Sequence, residues 1–321
     1  MNRSACLIFN PVSGQGDAQQ DLAMIRAILE PEIDLDIQLT TEEIDTAKLA
    51  SEAVKRGVDT IIVSGGDGTL SAAAAAVVGA NIPLGIISRG TANAFANALG
   101  LPDTIDDACK VILQGVTRTV DAADCNGHRM VLLAGVGFEA ETVDRADRES
   151  KKRFGILAYI LAGLQELRQL KPFDVEIETE EKIIKTSASA VTVANAAPAS
   201  SIFAQGPAGV VFDDGLLDLT IVAPITKAGA IAAALHLFQT ASVGQAAERN
   251  DIGYLRAKQF KITADPPQKL VIDGEVVGTT PVKIKCIPGG LKVFVPSTQE
   301  EKPVEKLEGL PNLTIEEKQE E

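Results

Sequence analysis

The sequence predicts two parts: an α/β domain on a parallel sheet, then a mainly antiparallel β-domain. Two observations carry this. From Ala5 to Leu113, short apolar runs alternate with amphipathic helices, the pattern of βαβ units with helices on both faces of a sheet. Beyond Thr119, strand-like runs dominate and helices only interrupt them. A third observation concerns function. Three turns rich in Gly, Ser, Thr or Asn, namely Asn10–Gly16, Gly65–Thr69 and Ser88–Asn93, follow successive strands. Ligands of open parallel sheets bind beyond such carboxyl ends.

The chain has 321 residues, more than the ~100–200 of a typical domain. In the first part the predicted elements are strand Ala5–Phe9, helix Ala18–Leu29, strand Leu35–Leu39 and helix Asp45–Arg56. Strand Val58–Val63, helix Thr69–Val78 and strand Ile82–Ile87 follow, then helices near Thr91–Leu99 and Asp103–Leu113. Ala18, Leu22, Ile25, Ile28 and Leu29 share one helical face. Strands are predicted at Arg129–Ala134, Phe173–Glu178, Ala188–Ala194 and Leu217–Val222. Others are Tyr254–Thr263, Lys269–Ile272, Val282–Ile287 and Leu291–Val295. Helices are predicted only near Glu139–Glu149, Ile156–Leu170 and Lys227–Leu237. Asp174-Val175-Glu176-Ile177-Glu178 shows clear two-residue alternation.

A formal net charge of −14 argues against broad nucleic-acid binding and against a polybasic membrane anchor. Residues 297–321 hold eight Glu against three Lys with no apolar period, which reads as a disordered acidic tail. No apolar run reaches the roughly 18 residues of a membrane span, and the first residues lack a signal-peptide layout. The expected location is cytoplasmic. Cys6, Cys109, Cys125 and Cys286 lack metal-ligand spacing and read as free thiols, mostly buried. His128 and His236 have no partner pattern, which disfavours a histidine triad or zinc site.

Ser64-Gly65-Gly66-Asp67-Gly68-Thr69-Leu70 is the most informative run. Its glycines let backbone amides approach an anion, and the helix that follows adds partial positive charge. An aspartate there would repel phosphate, so Asp67 makes sense holding a metal or accepting a hydroxyl bond. Asn10-Pro11-Val12-Ser13-Gly14-Gln15-Gly16 lacks the Gly-Lys-Ser/Thr of a Walker loop and by itself is an ordinary connection. In Ser88-Arg89-Gly90-Thr91-Ala92-Asn93, Thr91 suits either a phosphate or a helix cap, and Arg89 suits pairing with a phosphate but defaults to the surface.

The ordered set Asn-Pro-x-Ser-Gly, Gly-Gly-Asp-Gly-Thr and Gly-Thr-x-Asn resembles that of the bacterial diacylglycerol kinase-like lipid kinases, relatives of sphingosine and ceramide kinases. Gly135-Val136-Gly137-Phe138-Glu139-Ala140, Phe154–Ile160, Asp213–Asp218 and Ile272-Asp273-Gly274-Glu275 extend the resemblance to about Ala5–Pro296. It implies a phosphofructokinase-like sheet in the first domain, a β-sandwich in the second and a cleft between them. The implied division is 1–121 with about 291–296, then 122–290, then the tail.

The implied activity is transfer of phosphate from ATP, with Mg2+, to the hydroxyl of a lipid such as diacylglycerol. The enzyme would visit the membrane peripherally and transiently, and a homodimer is compatible with this. Phe203 and the Phe154 segment are candidates for touching the bilayer, or else core residues. Asn10, Pro11, Ser13, Gly14, Thr41 and Thr91 would contact nucleotide. Gly65, Gly66, Asp67, Gly68, Thr69, Leu70 and Ser71 would cradle phosphates, with Asp67 tied to magnesium. Glu275 resembles the family's general base. Asp273-Gly274 is also a type I′ turn signal, under which Glu275 is a solvated edge residue. Asp214, with carbonyls of Val211 and Leu216, resembles a structural magnesium site, and Asp213-Asp214-Gly215 also reads as a plain turn.

Two departures stand out: Ser88 replaces a usual proline, and Ala94 replaces a usual aspartate of the magnesium–water network. A soluble NAD kinase-like enzyme shares Gly-Gly-Asp-Gly but not the first and third motifs. A non-catalytic nucleotide or lipid sensor is the alternative that Ala94 supports.

Overall fold

A computed structural model describes residues 3–14, 16–137, 172–198, 201, 204, 206, 209–223 and 226–297. The helices expected at Glu139–Glu149 and Ile156–Leu170, the Phe154 segment, Phe203 and the tail from 298 onward lie outside them.

The first part runs β1 (Arg3–Phe9), α1 (Ala18–Leu29), β2 (Ile33–Leu39), α2 (Thr46–Arg56), β3 (Thr60–Gly65), α3 (Asp67–Val77), β4 (Leu84–Ser88), α4 (Ala94–Ala98) and α5 (Ile105–Gln114). Asp17, Asp45 and Thr104 cap α1, α2 and α5 by accepting first-turn amides. The strands stack in parallel in the order β2-β1-β3-β4. Every residue of β3 and β4 is buried, as expected of central strands covered on both faces. Ile25 and Leu29 of α1 and Cys109 and Ile112 of α5 close one face; Leu49, Leu70, Ala74 and Phe95 close the other.

The second part holds β5 (Thr117–Cys125), β6 (His128–Met130), β7 (Leu133–Gly137), β8 (Phe173–Glu178), β9 (Ile183–Ala188), β10 (Ala190–Ala194) and β11 (Leu217–Val222). Helix α6 (Lys227–Ser242) precedes β12 (Ile252–Ala257), β13 (Gln259–Asp265), β14 (Lys269–Ile272), β15 (Glu275–Thr279) and β16 (Val282–Phe294). An antiparallel sheet in the order β12-β11-β10-β7-β14-β15 packs against β8, β13 and the first half of β16. Val136, Val193, Leu219, Phe260 and Ile284 meet in that sandwich core.

β16 belongs to both parts. Its first residues pair antiparallel with β13, and Val293 pairs parallel with Leu84 of β4. β5 lines it along both halves, so the boundary expected after Asp121 falls inside a continuous strand. The register slips between Ile287 and Leu291, across Pro288-Gly289-Gly290. Val282–Ile287 and Leu291–Val295, expected as separate strands, are one bent strand. The buried Asp121 carboxylate fixes the bend, accepting amides of Gly289 and Gly215, each at 2.7 Å. The Gly79 amide donates to Gly290 O at 2.7 Å.

We expect Asp121→Ala to lower unfolding free energy by about 2–4 kcal/mol in urea titration, since two charge-assisted bonds go and two buried amides lose partners. Asp121→Asn, which keeps one acceptor, should recover part of that loss.

Candidate active site

β1, β3 and β4 end on one rim, and their loops are fastened together. The Asn10 amide donates to Ser64 O at 2.9 Å. Its side chain donates through Nδ2 to Thr69 Oγ1 at 2.8 Å and accepts the Val12 amide at 3.1 Å. This leaves Pro11 and Val12 exposed and Ser13 half-buried at the rim. A Cβ on Gly14, whose φ is +92°, would stand 3.0 Å from Arg89 O, so glycine is required there. Thr41 is exposed at the end of β2 beside this loop, where Thr40 N reaches Phe9 O; its hydroxyl accepts the amides of Glu43 and Ile44.

α3 begins at Asp67, two residues earlier than Thr69, and its N-cap Gly66 offers no side-chain bond. The first amides of α3, at Asp67, Gly68 and Thr69, therefore form an uncapped, positively polarised helix end. The early start corrects two expectations. Leu70 is wholly buried core and its amide already donates to Gly66 O. Ser71 is buried in the second turn. Gly65, Gly66, Asp67, Gly68 and Thr69 stay at the cradle, with a side chain at Gly65 excluded by Thr69, 2.6 Å from the virtual Cβ.

Asp67 does not point its charge at that cradle alone. Its carboxylate accepts the amides of Asn93 at 3.1 Å and Ala94 at 2.5 Å, capping α4 from another loop. Asn93 takes a left-handed φ of +48° to present them. Thr91 is not that cap and lies exposed at the rim. A Cβ on Gly90 would stand 3.0 Å from Gly66 Cα, so the second and third loops touch backbone to backbone. Each Asp67 oxygen keeps a lone pair after these bonds.

Arg89 corrects the expectation of a surface residue. Its side chain is 2% exposed and paired to Asp21 of α1 through Nε at 2.8 Å. Nη1 donates to Asn10 O at 2.9 Å, and the guanidinium lies 4.4 Å from the centre of the Phe9 ring. Its own amide donates to Gly65 O at 2.7 Å. The buried cation thus ties the third loop to the first and to α1, while its backbone amide ties it to the second. Ser64 Oγ, Ser88 Oγ, Asn93 Oδ1 and Arg89 Nη2 are buried here without a hydrogen-bond partner. The open amides at the start of α3 fit a polyphosphate; protein carboxylates in number would not.

Glu275 sits across the fold. Asp273 and Gly274 have φ of +48° and +89°, the type I′ geometry, and Glu275 is exposed at the start of β15. The turn is anchored. The Asp273 carboxylate accepts the amides of Val131, Leu132 and Leu133 at 2.9–3.0 Å. Val131 and Leu132 pack in one core cluster with Phe95 and Ala96 of α4, the helix Asp67 caps. Asn195 secures the same segment, donating to Val131 O and Asp121 O. Burial pushes the Asp273 pKa up to about 6 against the pull of three amides, and the Glu275 charge adds to the rise.

The metal expected at Val211, Asp214 and Leu216 does not fit. Asp214 Oδ2 pairs with Arg256 Nη2 at 2.5 Å, and Oδ1 accepts the Leu216 amide. Arg256 also binds Asp218, and Arg118 binds Asp213. Two arginines already pair with the three aspartates of this segment, and Asp214 has no oxygen free of a partner. Among the described residues, no group of three or more His, Cys, Asp or Glu could hold a metal. At the cradle a single carboxylate is compatible with Mg2+, which keeps waters and leans on substrate phosphates.

Comparison with known proteins gives the family and the fold. The "Diacylglycerol kinase catalytic domain" family matches residues 4–125, and the "YegS C-terminal NAD kinase beta sandwich-like domain" family matches residues 133–295. An uncharacterized Synechocystis protein is 47% identical over 301 residues, 90% of this chain and 70% of that one. The diacylglycerol kinase of Bacillus subtilis is 30% identical over 316 residues, 93% of this chain and 98% of its own. A diacylglycerol kinase crystal structure from Bacillus anthracis superposes with a TM-score of 0.73 at 26% identity, covering 92% and 97% of the two chains. The chain belongs to the diacylglycerol kinase family of lipid kinases, with a C-terminal domain of the YegS type.

Sequence reasoning missed Arg89, Asp121, Asp273 and Asn195. Arg89 carried a usable signal, since it directly precedes Gly-Thr at a strand end. Asp273 was legible as a turn residue but not as the anchor of that turn, and it, Asp121 and Asn195 all act on backbone groups that only the fold brings in.

Arg89→Met should weaken ATP binding by about tenfold or more in calorimetry, because the first and third loops lose their charged link and Asp21 its partner. Arg89→Lys, which can keep the charge but not the fork, should recover only part. The Asp273 carboxyl should titrate near 6 by NMR and move down in Glu275→Gln. Because its folded pKa lies above the ordinary 3.8, its stabilising contribution is full below that value and is lost as pH rises through about 6. Asp273→Asn should abolish that part of the pH dependence.

Proposed function

We propose that this chain transfers the γ-phosphoryl group of ATP to the hydroxyl of a membrane lipid of the diacylglycerol class. The observation that carries the reading is the clustering of three strand-end loops around one uncapped helix end, with Asp67 at their junction. The amides of Asp67, Gly68 and Thr69 would bind phosphate oxygens. Asn10, Ser13, Gly14, Thr41 and Thr91 ring the same rim and would orient the nucleotide. Asp67 would hold Mg2+ through its remaining lone pairs, and the ion would neutralise charge on the phosphates.

Glu275 would take the proton as the lipid oxygen attacks phosphorus. An exposed carboxylate on a rigid, anchored turn suits a base that must meet an incoming hydroxyl. Phosphoryl transfer otherwise needs positioning and charge neutralisation, which the braced loops would supply. Ala94 leaves only Asp67 to organise the ion, which supports a second reading: a nucleotide-binding sensor without transfer.

The test is incubation of purified protein with Mg2+, radiolabelled ATP and a panel of lipids in mixed micelles. Label should enter a lipid. Asp67→Asn and Glu275→Gln should each slow transfer by about 100-fold or more, with unchanged circular dichroism. Labelling of NAD without any lipid would falsify the proposal. ATP binding without transfer across the panel would establish the sensor.

A further inference from the structure

α6 is apolar on both sides. Its inner side, Ala230, Ala233, Ala234 and Leu237, packs against Ala190, Val222 and Ile252 of the antiparallel sheet. Its outer side presents Ala228, Ile231, Leu235 and Phe238, at helical spacing, to solvent. Ile231, Leu235 and Phe238 are 38%, 50% and 47% exposed, and Val243 just beyond the helix is 65% exposed. Residues 228–247 contain no Asp, Glu, Lys or Arg, in a chain that is 23% charged. A helix that merely roofs a sheet normally turns a charged face to water. A contiguous apolar one marks a contact.

We propose that the outer face of α6 seats the enzyme on the uncharged surface of a lipid bilayer. This rests on the reading above that the acceptor is a membrane lipid. A second copy of the chain is the competing occupant, since the four exposed residues supply at most about 500 Å² of apolar area at the ~250 Å² of a fully buried aromatic side chain; the oligomeric state of the variant below separates the two cases. Charge argues for neutral lipid. A chain of net charge −14 is repelled by anionic headgroups, and this face has no cation to offset that.

Position agrees. β7, β10, β11 and β12 align Gly137, Ala190, Val222 and Ile252 at the α6 end of the sheet. Leu133 and Ala194 lie at the other end, where the Leu133 carbonyl holds the Asp273 turn. The ends are separated by four residues of strand, roughly 13 Å. That interval is comparable to the hydrocarbon of one leaflet, about 15 Å. A lipid whose hydroxyl meets Glu275 could therefore keep its chains toward the seated end.

The test is co-sedimentation of the full chain with phosphatidylcholine vesicles, alongside transfer assays on vesicle-borne and on short-chain, water-dispersed diacylglycerol. Wild type should bind the vesicles with no loss at high salt, because no ion pair is involved. Leu235→Gln/Phe238→Gln should bind about tenfold more weakly or less, and lose vesicle-borne activity by a similar factor, with activity on dispersed lipid unchanged. Equal binding by variant and wild type overturns the inference, as does binding only to anionic vesicles. So does a dimer-to-monomer shift of the variant in size-exclusion chromatography with vesicle binding intact. Wild type that binds vesicles through α6 but phosphorylates no lipid sinks the kinase reading and leaves the seating in place.

Discussion

The architecture depends on one strand serving two sheets. β16 enters beside β13, bends across Pro288-Gly289-Gly290 and leaves beside β4. A bend in a fully paired strand exposes amides that the ladder can no longer satisfy, and in the interior such amides need acceptors. Asp121 supplies them. Its two oxygens hold Gly289 and Gly215, so one buried carboxylate joins β5, the bend and the loop before β11. Through β16 the second domain is a continuation of the first domain's sheet. The Asp273–Glu275 turn is itself held to the first domain through Val131 and Leu132, which pack with α4.

Around the candidate site, charge works against backbone dipoles. Asp67 places a negative charge on the amino end of α4, and Arg89 places a positive one on the carbonyl of Asn10. Each draws a loop into place, and each leaves the amides at the start of α3 unspent. The site is thus ordered before any ligand arrives, which reduces the ordering that binding must supply. The arginines around Asp213, Asp214 and Asp218 show the same logic in a structural loop, where a guanidinium takes the role expected of an ion.

The alternating first part was legible because amphipathic helices and buried strands imprint their periods on local sequence. α1 has the expected bounds, and so does β8. Elements defined by pairing were not legible. β5 carries Asp121 and Asp124 among alanines, a poor strand composition, and is extended because β16 and β6 flank it. Tyr254–Thr263 reads as one strand but divides at Lys258, whose carbonyl accepts the Cys286 amide, and its halves join different sheets. α3 starts earlier than expected because Gly66 takes the cap position and an acidic Asp67 suits the first turn of a helix.

The sequence by itself determined the order of elements in the first part, the three strand-end loops and the family to which they belong, since each rests on residues adjacent in the chain. Only the tertiary structure decided what those residues do. It turned Asp67 toward another helix, drew Arg89 inside, removed Leu70 from the cradle and gave Asp214 an arginine in place of a metal. The physical reason is common to all four. A charge or a side chain is assigned by what lies within a few ångströms, and those neighbours are 26 to 79 residues away, or set by where a helix begins.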